Sequence, residues 1–369
     1  MVESSPETSG PKSAPVLQKL LSEGIEKSIF TAGATAIGTS DGIEWQGTVG
    51  TRDPEGEDPV TPTTRFDAAS LTKATVMTTI VLRLVEEGTL ALSTPLGECI
   101  PPLDGTERGE IPLVRLLTHT SGLQPYYYDG WDGPAAAREA IYEADLLECE
   151  PGERFEYSCL NFVHLADAVR RVTDSSLAEL AHRHVFEPAG MEGARMGPVE
   201  ETPAVVTHER EHADRVLQGE IHDPIARALE GESGNAGLFA SAADLARLAT
   251  ALLGDGRGPG GGRAPEDGQG PDGDRLLSPG TIARMCEDWT SPEDRPHGLG
   301  WRLAHECAPA PNWSRASFGH TGYTGTSLWL DPEADRFAVL LTNEVYCGKE
   351  RGMVRLRERF HGAVVGEGV

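Results

Sequence analysis

Residues 64–96 read TRFDAASLTKATVMTTIVLRLVEEGTLALSTPL, and Ser70 and Lys73 stand near their start. Apolar residues recur from Leu71 onward at helical spacing, and Gly88 offers the cap on which helices commonly end. The spacing predicts a helix over 70–88. Positions i and i+3 share a helix face, so Ser70 and Lys73 meet. Lys73 is the one lysine between Lys27 and Lys349, in a stretch that otherwise carries its positive charge on arginine. Arginine holds its proton at any pH a protein survives, whereas a buried lysine can release it. A serine touching such an amine is the arrangement of a nucleophile with an adjacent base.

Outward from this helix, residues 16–29 carry a helical pattern, and 31–40 and 43–50 read as strands joined at Ser40-Asp41-Gly42. Helices are expected over 135–144, 161–173, 177–185 and 242–253. Strand-like runs follow at 298–303, 326–331 and 336–343, and a helix at 351–365 closes the chain. Strands near both ends with helices between them predict an α/β (α+β) fold. Its antiparallel sheet is built from both termini and flanked by helices, and a mainly helical region (about 88–295) is inserted. Residues 1–15, rich in Ser, Glu and Pro, read as a disordered tail, and 16–365 as one catalytic domain. The Gly/Pro/Asp-rich stretch 254–274 reads as a flexible surface loop.

The 369 residues include 58 Asp plus Glu against 32 Lys plus Arg, a net charge of -26. That excess argues against nucleic acid or an anionic membrane surface as a partner. Together with the scarcity of lysine it suggests adaptation to high salt, where screening removes most self-repulsion. The six cysteines (Cys99, Cys149, Cys159, Cys286, Cys307, Cys347) are scattered and read as reduced thiols. The polar first residues lack an apolar signal core, and the longest apolar run, near 76–85, is broken by Thr78, Thr79 and Arg83. A cytoplasmic protein without a membrane span is therefore expected.

Further motifs fall in a recognisable order: LLTHTSGL at 116–123, FEYSCLNF at 155–162, GEIHDP at 219–224, GNAGLF at 234–239, GLGW at 298–301 and GHTGYTG at 319–325. With 64–96 they resemble the serine β-lactamase-like family, which includes class C β-lactamases, penicillin-binding DD-peptidases and related esterases. The resemblance covers roughly 16–365. It implies an acyl-enzyme hydrolase with S-x-x-K, Y-x-N and K-T-G motifs. Ser70 is then the nucleophile, and Lys73 and Tyr157 handle protons. His320 assists and positions, and the backbone N–H groups of Ser70 and Tyr323 hold the oxyanion. Cys159, Thr321, Gly322 and Asn235 complete the expected substrate-binding set.

Two positions depart from the family pattern. Cys159 stands where Y-x-N has an amide, and His320 where K-T-G has a lysine. A thiol is a weak hydrogen-bond partner, and a histidine carries only partial charge near neutrality. Both changes count against β-lactam or strict D-amino-acid peptide substrates and move small esters and amides ahead. A β-lactamase, a DD-peptidase and a non-catalytic scaffold remain as alternatives.

The remaining signals point elsewhere. His208-Glu209-Arg210-Glu211-His212 matches H-E-x-x-H, but its flanks lack the apolar helix face and third ligand of a zinc site. A charged surface stretch is expected there, and no metal or cofactor. His119 reads as a turn-tying histidine, His222-Asp223 as an ordered loop, and Trp301 and Trp329 as core. Tyr126-Tyr127-Tyr128 fits either an aromatic wall or a loop anchor. The expected partner is a small-molecule ester, amide or lactam.

Overall fold

In the computed structural model, the described residues are 11–199, 204–212, 214–257, 275–290, 295–304, 309–349 and 352–365. Cys307 and most of the 254–274 loop lie outside them. The N-terminal helix Ala14–Glu26 begins inside the expected tail. It leads into strands β1 (Ala32–Thr39) and β2 (Gly42–Gly50), then a short β3 (Phe66–Asp67). The middle of the chain contains the helices Gly133–Glu143, Cys159–Thr173 and Ala242–Leu253. It also holds short strands that periodicity does not reveal: β4 (Arg195–Met196), β5 (Thr207–Glu209), β6 (Arg215–Leu217) and β7 (Leu238–Ala240). Two- and three-residue strands are too short to register a period of two. The end of the chain supplies β8 (Arg302–Leu303), β9 (Phe318–Thr321), β10 (Ser327–Asp331), β11 (Arg336–Thr342) and the helix Met353–Val365. Of the run 298–303 only the last two residues are a strand.

Six strands form one antiparallel sheet in the order β2-β1-β11-β10-β9-β8, so both ends of the chain build it. β1 lies against β11, with Ala34 opposite Leu341 and Ala36 opposite Val339. Alternation along β11 sends Phe337, Val339 and Leu341 into the larger core and Ala338 and Leu340 toward the terminal helices. Ala242–Leu253 covers the first face, and its start is capped reciprocally by Ser241 and Asp244. Trp301 and Trp329 are buried. The small sheet β3-β7-β4 carries the chain from the core to Ser70. Among the described residues no helix is long and apolar enough to cross a membrane.

The terminal helix is tied to the sheet through His361. Ser327 Oγ lies 3.0 Å from its Nε2, and Trp313 Nε1 donates to its carbonyl at 3.0 Å. Burial pushes His361 down to about 3, and His164 and His297 to about 4. In the unfolded chain each titrates near 6.5, so between that value and its folded one the unfolded state binds more protons. Stability is therefore complete above about pH 6.5 and falls as pH drops toward 4, by roughly a kcal/mol per pH unit for each histidine. Thermal melts should show this decline, with a shallower slope in His361→Gln. A melting temperature flat from pH 7 to pH 5 would contradict it.

Candidate active site

Ser70 follows a strained residue. Ala69 has φ 48°, a left-handed conformation uncommon for alanine. It is held there because Asp67 Oδ1 accepts from Ala69 N at 2.8 Å while Asp67 Oδ2 accepts from His222 N at 2.8 Å. Ala68 N donates to Leu238 O at 2.8 Å, and Leu238 N donates to Thr72 Oγ1 at 3.1 Å. The helix expected over 70–88 is not uniform. Lys73–Met77 form a π turn, closed by Thr78 N on the Lys73 carbonyl, before the α-helix Thr78–Glu86. Such turns are rare and recur at functional sites.

Lys73 is 0 % exposed. Its Nζ donates to Ser70 Oγ at 3.0 Å and to the Asn235 carbonyl at 2.8 Å. Burial works against the charge of this amine, but the ionised forms of Cys159 and Tyr157 and the Asp223 carboxylate favour it and shift the amine above its ordinary range. That direction runs against the neutral lysine expected from sequence.

Tyr157 stands two residues before the helix Cys159–Thr173. Its ring lies 4.5 Å from that of His119, whose Nδ1 accepts from Ser158 N at 3.1 Å and lies 3.0 Å from Asn161 Nδ2. His119 thus ties the loop, as expected. Two cations flank the phenol: Lys73 Nζ at 5.3 Å and Arg302 Cζ at 5.5 Å from the ring centroid. The Arg302 side chain has no hydrogen-bond or ion-pair partner among the described residues.

His320 sits on β9 and is fully buried. Its Nδ1 donates to the Thr321 carbonyl at 2.9 Å, which assigns the tautomer and leaves Nε2 as an acceptor. Burial, then the charges of Arg302 and Lys73, hold it well below the ordinary histidine range. The partial charge anticipated from sequence is therefore absent at neutral pH. Cys159 faces the cleft as a thiol, pushed up by burial. The hydrogen bond to lysine that an amide at this position would make is supplied by the Asn235 backbone carbonyl.

A turn after β9 closes the site. Thr324 Oγ1 donates to Asp67 O at 2.8 Å and Thr326 Oγ1 to Ala68 O at 3.0 Å. A Cβ on Gly322 would lie 2.0 Å from Thr326 Oγ1 and 2.5 Å from Ala68 O, so only glycine permits this approach. Thr321 ends β9 opposite Ser327. The Ser70 and Tyr323 N–H groups donate to no other described residue.

These groups border a cleft of about 450 Å³, onto which Ser70, Tyr157, Cys159 and Tyr323 open. Lys73, His320, Asn235, Thr321 and Gly322 stand behind that lining. Residues 208–212 line one side of the cleft, with Arg210, Glu211 and His212 exposed as the charged surface stretch expected. They do not share a helix face: His208 is on β5, with Nε2 3.2 Å from Asp214 Oδ1, and His212 packs against Tyr128. No group of three or more metal-ligating side chains occurs among the described residues. The three tyrosines divide their roles. Tyr126 lines the cleft, whereas Tyr127 and Tyr128 pack on Trp131. His222 and Asp223 both face the cleft without pairing to each other. Sequence reasoning missed Arg302, for which no local pattern exists. Asp223, read with His222 as part of an ordered loop, caps the helix Pro224–Ala228.

A relative from Salmonella schwarzengrund (strain CVM19633), named “Putative D-alanyl-D-alanine carboxypeptidase”, is 26% identical over 317 residues, 77% of this chain and 70% of its own. Among solved structures, a hydrolase with promiscuous acyltransferase activity superposes with TM-score 0.73 at 20% identity, covering 96% of this chain and 98% of its own. A class C beta-lactamase superposes with TM-score 0.73 at 16% identity over 94% of this chain and 95% of its own. These two likenesses establish the fold. The family described as Beta-lactamase matches residues 17–362, and the chain belongs to that family of serine acyl-enzyme hydrolases.

Proposed function

We propose that the chain is acylated at Ser70 and acts on carboxylic esters or amides of low charge. The observation that carries this is the 3.0 Å contact of Lys73 Nζ with Ser70 Oγ, near two backbone N–H groups that have no partner among the described residues. With Lys73 as an ammonium, the reacting form carries Tyr157 as a phenolate, which accepts the proton leaving Ser70 Oγ. The two cations over its ring compensate the negative charge that the phenolate carries before the transfer. Ser70 Oγ bonds to the acyl carbon, and the carbonyl oxygen takes negative charge between the Ser70 and Tyr323 N–H groups. When the tetrahedral centre collapses, the bond to the leaving group breaks and Tyr157 returns the proton to it. Water repeats the sequence in reverse and frees Ser70.

A neutral His320 supports the preference for low-charge substrates, because it offers no fixed cation for a carboxylate. The name of the Salmonella relative supports D-amino-acid peptides as the second substrate class. The acid excess supports a high-salt setting, and cysteines with no disulfide among the described residues support a cytoplasmic one.

Three measurements bear on these points. A fluorophosphonate should label wild type at Ser70, and Ser70→Ala should lose labelling and at least about 10³-fold of aryl-ester hydrolysis. Turnover of a chromogenic cephalosporin but not of the ester would reverse the substrate order. Gly322→Ala should keep its circular dichroism spectrum yet lose about 10²-fold in kcat/KM, because the added methyl displaces the turn bearing the Tyr323 N–H. Unchanged kinetics would remove that N–H from the oxyanion site. Thermal stability should rise between about 0.1 M and about 3 M salt as self-repulsion is screened, and a fall would refute the high-salt assignment.

A further inference from the structure

Lys73 presents a problem that the Ser-Lys-Tyr arrangement leaves open. A fully buried ammonium is costly unless a negative partner and hydrogen bonds compensate it. The titratable and charged groups facing it are Tyr157 and Cys159 at the start of one helix, His119 from a turn, His320 from β9, and Asp223 from the loop before Pro224. Only Asp223 is a carboxylate.

Asp223 also reaches the amine through a bonded chain. Its Oδ1 accepts from Asn235 Nδ2 at 3.1 Å, and the Asn235 carbonyl accepts from Lys73 Nζ at 2.8 Å. The turn that presents this carbonyl has little freedom. Ser233 Oγ donates to Asn235 Oδ1, and Gly234 (φ +68°) would place a Cβ 2.6 Å from Phe162 O. The carboxylate is itself fixed, because Oδ1 accepts from Ala226 N at 2.9 Å as the cap of the helix Pro224–Ala228. The groups facing Asp223 in turn are Tyr126, whose hydroxyl donates to Oδ2 at 3.5 Å, Cys159, Asp67, Lys73 and, from the next helical turn, Arg227, whose guanidinium donates to the adjacent His222 carbonyl at 3.0 Å.

We propose that Asp223 is the counter-charge of Lys73 and, through Asn235, its positioning residue. It takes over what an amide at position 159 would supply. Cys159 can neither accept strongly from the amine nor orient it. The duty has moved to a backbone carbonyl whose direction Asp223 sets from the opposite wall of the cleft. The direction of the Lys73 shift agrees, since Asp223 is among the groups that hold the amine charged. The role assigned to Asp223 builds on the acyl-enzyme function proposed for Ser70.

The test reads Lys73 directly and does not depend on turnover. The chain has five lysines, Lys12, Lys19, Lys27, Lys73 and Lys349, so lysine-Cε carbon NMR on the full chain gives a spectrum of few signals. Lys73 is identified by the resonance lost in Lys73→Arg. Asp223→Asn and Asp223→Ser both keep a side chain that caps helices and both remove the charge. The midpoint of Lys73 should fall by about one pH unit in each, a tenfold change in the ratio of ammonium to amine. Asp223→Glu should restore most of the difference. The alkaline limb of aryl-ester acylation should move to lower pH with it, a shift that mere loosening of the loop would not produce.

A Lys73 midpoint that stays in place in either folded variant overturns the proposal. So does a wild-type midpoint at or below the ordinary lysine range, a result that needs no variant. If the midpoint moves but no probe labels Ser70, the counter-charge stands and the acyl-enzyme function fails.

Discussion

Two threonine hydroxyls hold the halves of this chain together at the point where function is proposed. Thr324 and Thr326, on the turn after β9, donate to the carbonyls of Asp67 and Ala68, more than 250 residues earlier in sequence. The bonds close only because Gly322 has no side chain to intervene. The sheet edge is thereby pressed against the segment that begins the Ser70 helix. Ser70 and Tyr323, from distant parts of the chain, then line the same cleft. A fold built from both termini gains a cleft there without either half being able to make one alone.

Electrostatics adds a second layer. Lys73, fully buried among Tyr157, Cys159 and Asp223, is shifted above its ordinary range, while burial shifts His119, His297 and His320 below theirs. The positive charge that the family pattern places on β9 is missing there. Arg302, on the neighbouring strand, reaches the face of the Tyr157 ring instead. The positive charge beside this edge therefore lies on β8 and not on β9.

Much of this arrangement is legible in the order of residues alone. Ser70 and Lys73 stand out through helical spacing and the scarcity of lysine, and Gly88 and the Ser40-Asp41-Gly42 turn mark element ends correctly. Other features are hidden for definable reasons. The π turn at Lys73–Met77 depends on one hydrogen bond slipping by a residue, which no side-chain pattern announces. The stretch 208–212 reads as charged surface, and Arg210, Glu211 and His212 are exposed, but no side-chain pattern announces that this surface borders the cleft. Asn235 contributes its backbone carbonyl to Lys73, and backbone groups leave no trace in residue identity. The usual titration of a histidine suggests partial charge at His320, and burial and Arg302 override it.

The central claim is that the Ser70 and Tyr323 N–H groups form one oxyanion site. A crystal structure of the protein inhibited by a fluorophosphonate tests it most directly. The account predicts phosphorus bonded to Ser70 Oγ, with one phosphoryl oxygen about 3 Å from both nitrogens. An adduct whose oxygen points away from Tyr323, or attachment at another residue, would contradict it.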